Sequence, residues 1–542
     1  MNKRDERNRG FATYEKVGAV LSNRLIHSIE SCAPERPEPG EDRGGQWSVY
    51  PFWVYFVIKM MVHVFGSLRQ VERELRKGNL WWRIRQAGHY WFPDAALLPE
   101  IPPSLDQINT WTARNFTTQS EEADGRDYSP AALKARLAAK ATKHAVKLAL
   151  AMGLFAEDRS GSFAFPALEK VLYGDGKVVT PKFRSKMGRR KRDPVTHDLK
   201  KVVADPDARL CVIGGGKRVF GVPWVFINAR GEGWRKRVIF AFAHVAASDT
   251  AEHQGGEAFV AVRLFRSVLG HLPGCQAVLY DGAFHHKHGK HMFKWVPFTS
   301  RLSKAAHGRP NNRFYPYPVQ VHLYHPRTVL DPVTDEIVAN PAPDPKAVVM
   351  INDGSSSGPG ALKVHLEWGL PYICQRTRRG PEHHVAFVLE SVTRVAAPNY
   401  RWYALYRVPA QPWCPEGGWV RLRLDETEED RRIDFKRCEY LRAIPGDVDD
   451  VNELELRRLY GLRGDAESGN ATYDRSLPFY ERAHSVGVEK QWLDNLTWQA
   501  YENSLARVVW ARHWNFEEDD ENHPAFESDD GYGLAPVLPE AA

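Results

Sequence analysis

The segment Leu454–Asn470, which reads LELRRLYGLRGDAESGN, carries the most informative pattern in this 542-residue chain. A helical period is shown by residues at spacings of three and four, namely Leu456, Leu459, Tyr460 and Arg463, and it predicts an α-helix. Tyr460, Arg463 and Glu467 form the pattern Y-x-x-R-x-x-x-E and fall on one side of that helix. The helix would therefore present a carboxylate with a guanidinium about one turn before it.

Two aspartates upstream each follow an apolar run that is typical of a β-strand. Asp175 comes shortly after Val171–Tyr173, and Asp281 comes directly after Ala277–Tyr280. Each aspartate precedes a glycine, and an Asp-Gly pair between apolar runs is also typical of a turn. The order of two strand-end aspartates and one helical glutamate favours a catalytic interpretation, because no simple structural role predicts the third motif. Three converging carboxylates could hold a pair of divalent metal ions.

The trio resembles the catalytic acids of the DDE transposases of bacterial insertion sequences, in the branch whose third motif is Y-x-x-R-x-x-x-E. The tetrapeptide DGAF, which begins at Asp281, is also similar to the second motif of that family, D-x-[GA]-[FY]. The resemblance implies that Asp175, Asp281 and Glu467 are the catalytic and metal-binding residues. It also implies that Tyr460 and Arg463 help to position the glutamate and the DNA.

The expected chemistry explains why three acids are needed. Cleavage of a phosphodiester by water or by a 3′-hydroxyl requires a deprotonated oxygen nucleophile and neutralisation of charge at the phosphorus. Two Mg²⁺ (or Mn²⁺) ions about 3.5–4 Å apart meet both needs, one at the attacking oxygen and one at the leaving oxygen. Mg²⁺ prefers a few carboxylate ligands and keeps water or substrate oxygens in its other positions. We therefore expect Asp175 to bridge the two ions, with Asp281 and Glu467 each completing the coordination of one.

The chain departs from that branch of transposases at a lysine expected seven residues after the glutamate. Position 474 is an aspartate, and Arg475 follows it. An aspartate would repel a DNA phosphate, whereas a guanidinium fork binds phosphate oxygens well. We therefore expect Arg475 to replace the missing lysine as a DNA contact.

The region before Asp281 has the pattern of an α/β domain. The periodicity predicts three successive strands, Lys170–Thr180, Phe220–Asn228 and Arg237–Ala246, then the helix Glu257–Leu269 and the strand Gln276–Tyr280. The resemblance implies an RNase H-like fold, in which the first strand carries the first catalytic aspartate and the fourth carries the second near its end.

The chain between Asp281 and Glu467 is far longer than such a fold requires, and much of it has strand and turn patterns. We therefore expect an RNase H-like catalytic domain interrupted by a β-rich insertion and preceded by a helical domain. In the N-terminal region, two short helical segments around Lys77–Asn79 fit either a helix-turn-helix or a plain helical bundle. The expected domains are a helical DNA-binding region at 1–160, the first catalytic part at 165–310, the insertion at 311–440, the second catalytic part at 441–516 and an acidic tail at 517–542.

The charge distribution favours a polyanionic partner. Lys and Arg exceed Asp and Glu by seven, and the excess becomes sixteen once the nine acids of residues 517–542 are set aside. A basic run follows the first catalytic strand, where it would bind DNA phosphates, although a solvated loop would have the same composition. Its seven cationic residues are Lys182, Arg184, Lys186, Arg189, Arg190, Lys191 and Arg192.

Several other site types are disfavoured. The six cysteines are scattered without a C-x-x-C pair, which argues against a zinc ribbon or a disulfide framework and favours a reducing, cytoplasmic compartment. The apolar run Tyr50–Gly66 is short for a membrane span and contains Lys59, so we expect a buried helix. The histidines of 285–291 lack the spacing of a zinc site. The GGGK at 214–217 lacks the rest of a phosphate loop, and the glutamates of 426–429 have the context of a solvated turn.

The function expected from the resemblance is transposition. The chain would bind the terminal inverted repeats of its element, cut the DNA and join the 3′-hydroxyl to target DNA, as a homodimer in the DNA complex and without a membrane partner. Two alternatives stay open: an RNase H-like nuclease without strand transfer, and an inactive, domesticated transposase that acts as a DNA-binding protein.

Overall fold

The protein was analysed as a computed structural model. It describes residues 11–33, 49–117, 129–183, 187–192, 199–203, 205–213, 216–231, 236–246, 256–280, 290–292, 294–296, 315–317, 323–324, 328–330, 337–339, 364–367, 370–375, 383–394, 402–410, 418–423, 450–478 and 482–513. By contacts the chain divides into two units. Unit one contains residues 1–154, 175–264 and 466–542, and unit two contains residues 155–174 and 265–465. The acidic tail predicted at 517–542 lies outside the described residues, and the expected domain boundaries stay a prediction.

The N-terminal part of unit one is helical, as its sequence pattern predicts. Its helices are α1 Thr13–Leu21, α2 Leu25–Glu30, α3 Phe52–Phe65, α4 Leu68–Arg76, α5 Asn79–Trp91, α6 Leu105–Phe116 and α7 Pro130–Ala151. Helix α3 ends at Gly66, whose φ of 85° is a left-handed conformation that glycine adopts without strain. Ser67 then caps α4, since its hydroxyl accepts a hydrogen bond from the Gln70 amide.

Helix α3 is the apolar run that the sequence predicts to be a buried helix, and this prediction is confirmed. Every residue from Phe52 to His63 is buried, Lys59 included. No single helix among those described is both long and apolar enough to cross a membrane. Taken together, α3 and α4 pass the same test of length and composition, but they are bent by 107° at their junction.

A mixed sheet follows the helices. Its strands are β1 Val171–Val179, β4 Arg209–Val212, β5 Arg218–Arg230, β6 Arg237–His244 and β7 Ala277–Leu279, while β2 Met187–Arg192 and β3 Leu199–Val203 form a separate antiparallel ribbon. Helix α8, Gly256–Leu269, precedes β7. The strand order is β4-β5-β1-β7, with β6 also paired to β5. Strands β5 and β6 are antiparallel, and β1 and β7 are parallel.

The predicted strands and the helix before β7 are confirmed, with boundaries that shift by a few residues at most. The expectation that β1, β5 and β6 follow one another directly along the chain is wrong, because β2, β3 and β4 lie between β1 and β5. The sequences of these three strands, MGRRKR, LKKVV and RLCV, do not alternate apolar with polar residues. β2 is almost entirely basic, and β4 alternates between partly buried and exposed residues. Apolar periodicity therefore gave no signal for them.

The described residues of unit two form ten further short strands. They are β8 Tyr315–Tyr317, β9 Leu323–Tyr324, β10 Thr328–Leu330, β11 Ile337–Ala339, β12 Val364–Glu367, β13 Leu370–Gln375, β14 His383–Ala386, β15 Val388–Arg394, β16 Trp402–Val408 and β17 Gly418–Arg423. They form two four-stranded sheets, β14-β13-β12-β8 and β15-β16-β17-β9, and the pair β10-β11. The described residues of 311–440 are thus mostly strand, as the sequence predicts for this region.

The last described residues form two long helices, α9 Asp450–Ser476 and α10 Val488–His513. In unit one, α10 packs on β6 through polar as well as apolar contacts. The Gln499 amide donates to the carbonyls of Ile239 and Phe240, and Asn503 both donates to and accepts from the backbone of Ile239. These bonds give buried polar groups their partners and fix the helix on the strand.

A buried polar cluster joins α3 to α10 within unit one. Lys59 Nζ lies 2.8 Å from Asp494 Oδ1, with both side chains less than a tenth exposed. The His63 ring lies 3.1 Å from the Thr497 hydroxyl and contacts the His484 ring edge to face. Burial, and then the neighbouring His484, lower the pKa of His63 to about 3.

This cluster predicts that acid weakens the fold. Folded His63 stays neutral down to pH of about 3, whereas the unfolded side chain takes up a proton below about pH 6.5. The unfolded chain therefore binds more protons in this window, and the free energy of unfolding falls as the pH is lowered through it. Between pH 8 and pH 5, His63 alone should lower the free energy of unfolding by about 2 kcal/mol. His63→Gln should reduce the difference in unfolding free energy between pH 8 and pH 5 by that amount, measured by urea denaturation.

The matched control is His27→Gln, since His27 is exposed in α2. It should leave the pH difference unchanged. A His63→Gln protein with the pH dependence of the wild type would contradict the assignment.

Candidate active site

Asp175 lies within β1, four residues before the end of the strand. The interpretation of Asp175-Gly176 as a turn, and the expectation that Asp175 ends its strand, are therefore both wrong. The neighbouring glycine has a packing reason: a Cβ at Gly176 would lie 2.3 Å from Glu257 Oε1 of α8. Side chains alternate along a strand, so Glu257 covers the face of β1 opposite to Asp175.

The second predicted acid follows the strand beside β1. The parallel register pairs Val171 with Ala277 and Tyr173 with Leu279. Asp175 lies two residues beyond Tyr173, and Asp281 lies two residues beyond Leu279 in the sequence. Asp281 itself lies outside the described residues, as do the neighbouring histidines 285, 286 and 288.

The third motif lies in α9, as predicted, and two contacts in unit one join this helix to β1. The Asn470 amide donates to Asp175 Oδ2 at 2.8 Å, and Lys177 Nζ donates to Asp474 Oδ2 at 2.5 Å. Two strand residues advance about 6.6 Å and four helical residues about 6 Å. Helix and strand therefore run side by side in the same direction. The distance between the two contacts is similar along both elements.

A third contact of the same kind lies within unit two. The Tyr173 hydroxyl donates to the Asp465 carboxylate, and both side chains are buried. Tyr173 is two residues before Asp175 and is therefore on the same face of the strand. The polar face of β1 thus contacts α9 through Tyr173 as well as through Asp175 and Lys177.

Glu467 is exposed and lies one helical turn before Asn470. It also lies seven residues before Asp474, a spacing that returns to the same side of a helix. Asn470 and Asp474 both contact β1, so the segment of α9 that carries Glu467 lies beside the strand of Asp175. The structure thus brings together the elements that carry the first and third predicted acids.

The other predicted DNA contacts of α9 are described less fully. Tyr460 and Arg463 lie in the helix, but their side chains lie outside the described residues. Arg475 is exposed in the last turn of α9. Its direction differs by about 100° from that of Asp474, which contacts β1. The role of Arg475 as a phosphate contact stays a prediction.

The basic run is partly a strand. Lys182 is exposed just after β1, Arg184 lies outside the described residues, and Arg189, Arg190, Lys191 and Arg192 belong to β2. These last four residues therefore form a strand and not a loop. In the ribbon, Arg190 pairs with Lys201 and Lys191 pairs with Lys200. Two paired strands of this composition concentrate positive charge, which favours a polyanionic partner.

The chemistry of the described residues suits a hard cation. Asp175 and Glu467 offer carboxylate oxygens, which Mg²⁺ prefers, and Asn470 fixes the orientation of the Asp175 carboxylate. Within the described part of the chain, no group of three or more His, Cys, Asp or Glu side chains is arranged to hold a metal ion. That search does not include Asp281.

Sequence reasoning missed Asn470 and the Lys177–Asp474 pair. Both elements carry a pattern that indicates a polar face. In the strand, glycines alternate with Tyr173, Asp175 and Lys177. In the helix, Asn470 and Asp474 follow Glu467 at spacings of three and seven. The two patterns are separated by almost 300 residues. Nothing local indicates that they meet.

No protein-family model matches the chain, and no curated protein is significantly similar to it in sequence.

Proposed function

We propose that the chain is a DDE-type transposase that cuts DNA at the ends of its element and joins the 3′-ends to target DNA. The observation that carries this proposal is the hydrogen bond from Asn470 to Asp175 at 2.8 Å. It holds the helix of the Y-x-x-R-x-x-x-E motif against the strand of the first aspartate. The two motifs are almost 300 residues apart in the sequence, and their contact is what the proposed function requires.

The parallel register of β1 and β7 supports the second aspartate. If the pairing continues for two residues beyond Tyr173 and Leu279, Asp281 lies beside Asp175. The chain order of β1, β5, β6, α8 and β7 also agrees with the order expected of an RNase H-like domain. We propose this fold for the catalytic part, with strands β8–β17 as its insertion.

In this proposal Asp175, Asp281 and Glu467 would supply the carboxylate oxygens that hold two Mg²⁺ (or Mn²⁺) ions. The ions would supply activation of the attacking oxygen and neutralisation of the charge on the leaving oxygen. Asn470 donates to Asp175 and so keeps one oxygen of that carboxylate in a fixed direction. Such outer partners commonly change metal affinity or activity by about 10–100-fold when they are removed.

DNA binding is supported by the basic ribbon β2–β3. Its six cations, the four of β2 with Lys200 and Lys201, lie in two paired strands close to β1 in the sequence. A two-stranded ribbon fits the major groove of DNA, and cationic residues bind phosphates with a strong dependence on salt.

We predict that neutralising the four cations of β2 weakens the salt dependence of binding. Affinity for a duplex should fall with salt with a log–log slope of about −0.9 for each phosphate that the protein neutralises. Replacing Arg189, Arg190, Lys191 and Arg192 by Gln should flatten the slope by about 0.9 for each phosphate that these side chains bind in the wild type. The matched control replaces two exposed arginines of the insertion, Arg394 and Arg407, by Gln, and should keep the wild-type slope. An unchanged slope in the β2 variant would remove this ribbon from the DNA interface.

The function itself is tested with the DNA that flanks the gene. The purified chain is incubated with labelled duplexes of both flanks and a supercoiled target plasmid, with Mg²⁺ or with EDTA. The proposal expects Mg²⁺-dependent cleavage at one position in each flank and joining of the new ends to the plasmid. Cleavage without joining would identify a nuclease instead, and binding without cleavage would identify a DNA-binding protein.

A further inference from the structure

Lys177 is a cation on the same face of β1 as Asp175, two residues further along the strand. Its ammonium lies 2.5 Å from Asp474 Oδ2, and the two side chains are only 17% and 18% exposed. The Cα atoms of such strand neighbours are about 6.6 Å apart. A lysine side chain spans that distance, so the ammonium of Lys177 lies within reach of groups bound at Asp175.

The ion pair with Asp474 fixes the orientation of the Lys177 side chain. Two carboxylates lie within reach of Lys177, those of Asp175 and Asp474, and the ammonium pairs with the second. A lysine paired with Asp175 would stabilise that carboxylate and compete with a metal cation for it. The bond to Asp474 draws the ammonium along the strand, while the neutral amide of Asn470 donates to Asp175 instead.

We propose that Lys177 is a positioning residue, whose ammonium contacts a phosphate oxygen of the DNA strand bound at Asp175 while Asp474 holds that ammonium in place. This inference rests on the proposed function. An ammonium has three donors and Asp474 accepts from one of them, so a phosphate oxygen can accept from another. Because the ion pair has no net charge, it adds little to the general attraction between the protein and DNA. Its contribution to DNA binding is one directed hydrogen bond from Lys177 to a phosphate.

A purely structural role would have different consequences. If the ion pair served only to attach α9 to β1, two apolar side chains of similar volume would attach it equally well, since such replacements of buried ion pairs are often neutral or stabilising. The apolar variant Lys177→Met/Asp474→Leu therefore separates the two roles. It keeps the packing between strand and helix, and it removes the ammonium.

The experiment measures thermal unfolding and single-turnover cleavage of the flanking-DNA duplex at saturating Mg²⁺. For Lys177→Met/Asp474→Leu we expect a wild-type unfolding temperature and cleavage that is slower by about 10–100-fold, the range of one charge-assisted contact. Asp474→Asn alone frees Lys177 to pair with Asp175, and should raise the Mg²⁺ concentration needed for half-maximal cleavage. Arg407→Gln breaks an exposed ion pair with Glu390 in the insertion and is the matched control, with both quantities unchanged.

A folded apolar variant that cleaves at the wild-type rate would overturn the inference. If that variant does not fold, Lys177→Gln takes its place, since a glutamine amide can still donate to Asp474 without carrying a charge. A stable Lys177→Gln protein with wild-type cleavage would overturn the inference in the same way. If the wild-type chain shows no Mg²⁺-dependent cleavage, the proposed function is refuted, and this inference is refuted with it. That result differs from cleavage by the variants at the wild-type rate, which would overturn this inference alone.

Discussion

Replacing Asp175 by asparagine is expected to abolish Mg²⁺-dependent cleavage of the flanking DNA and to leave DNA binding almost intact. The substitution keeps the volume of the side chain, and its amide oxygen can still accept the hydrogen bond from Asn470. It removes the negative charge with which Asp175 would hold divalent cations in the proposed site. Removing an outer partner of a metal ligand commonly costs about 10–100-fold, so removing the ligand itself should cost more.

The measurement is the single-turnover cleavage rate over a range of Mg²⁺ concentrations, with binding to the same duplex measured in EDTA. Glu467→Gln should behave like Asp175→Asn, because both carboxylates are assigned to the same site. Glu390→Gln removes an exposed carboxylate of β15 and serves as the control, with full activity. Wild-type cleavage by Asp175→Asn would remove this residue from the site.

The second large effect concerns stability. Lys59 and Asp494 form an ion pair at 2.8 Å between α3 and α10, with side chains 7% and 6% exposed. Removing either partner leaves a buried charge without its counter-charge, which costs about 3–5 kcal/mol. We therefore expect Asp494→Asn and Lys59→Met each to lower the free energy of unfolding by that amount, measured by urea denaturation at pH 7.

The double variant Lys59→Met/Asp494→Leu provides the internal comparison. It removes both charges together, so its unfolding free energy should lie close to that of the wild type. Single variants that cost less than about 1 kcal/mol, the value of an exposed pair, would show that the pair is solvated.

The sequence predicted the regular elements around the candidate site because those elements bury apolar faces. The strand predicted at Lys170–Thr180 is β1, Val171–Val179, and the helix predicted at Glu257–Leu269 is α8, Gly256–Leu269. The helix of the third motif was predicted over Leu454–Asn470 and extends to Ser476. Its last turns lack a regular apolar pattern, and Asp474 in them pairs with Lys177 instead.

The local role of Asp175 could not be predicted in the same way. An Asp-Gly pair favours a turn when only neighbouring residues are considered. Here β1 pairs with β5, and this pairing outweighs the local preference. Asn470 is 295 residues from Asp175 in sequence, so their contact depends on the tertiary fold.

The most direct test of the candidate site is anomalous diffraction from crystals of the chain grown with Mn²⁺ and a flanking-DNA duplex. The account predicts Mn²⁺ bound between the carboxylates of Asp175, Asp281 and Glu467, with the three carboxylates within about 8 Å of one another, the reach of two metal ions and their ligands. A separation of more than about twice that distance, or Mn²⁺ bound elsewhere in the chain, would contradict it.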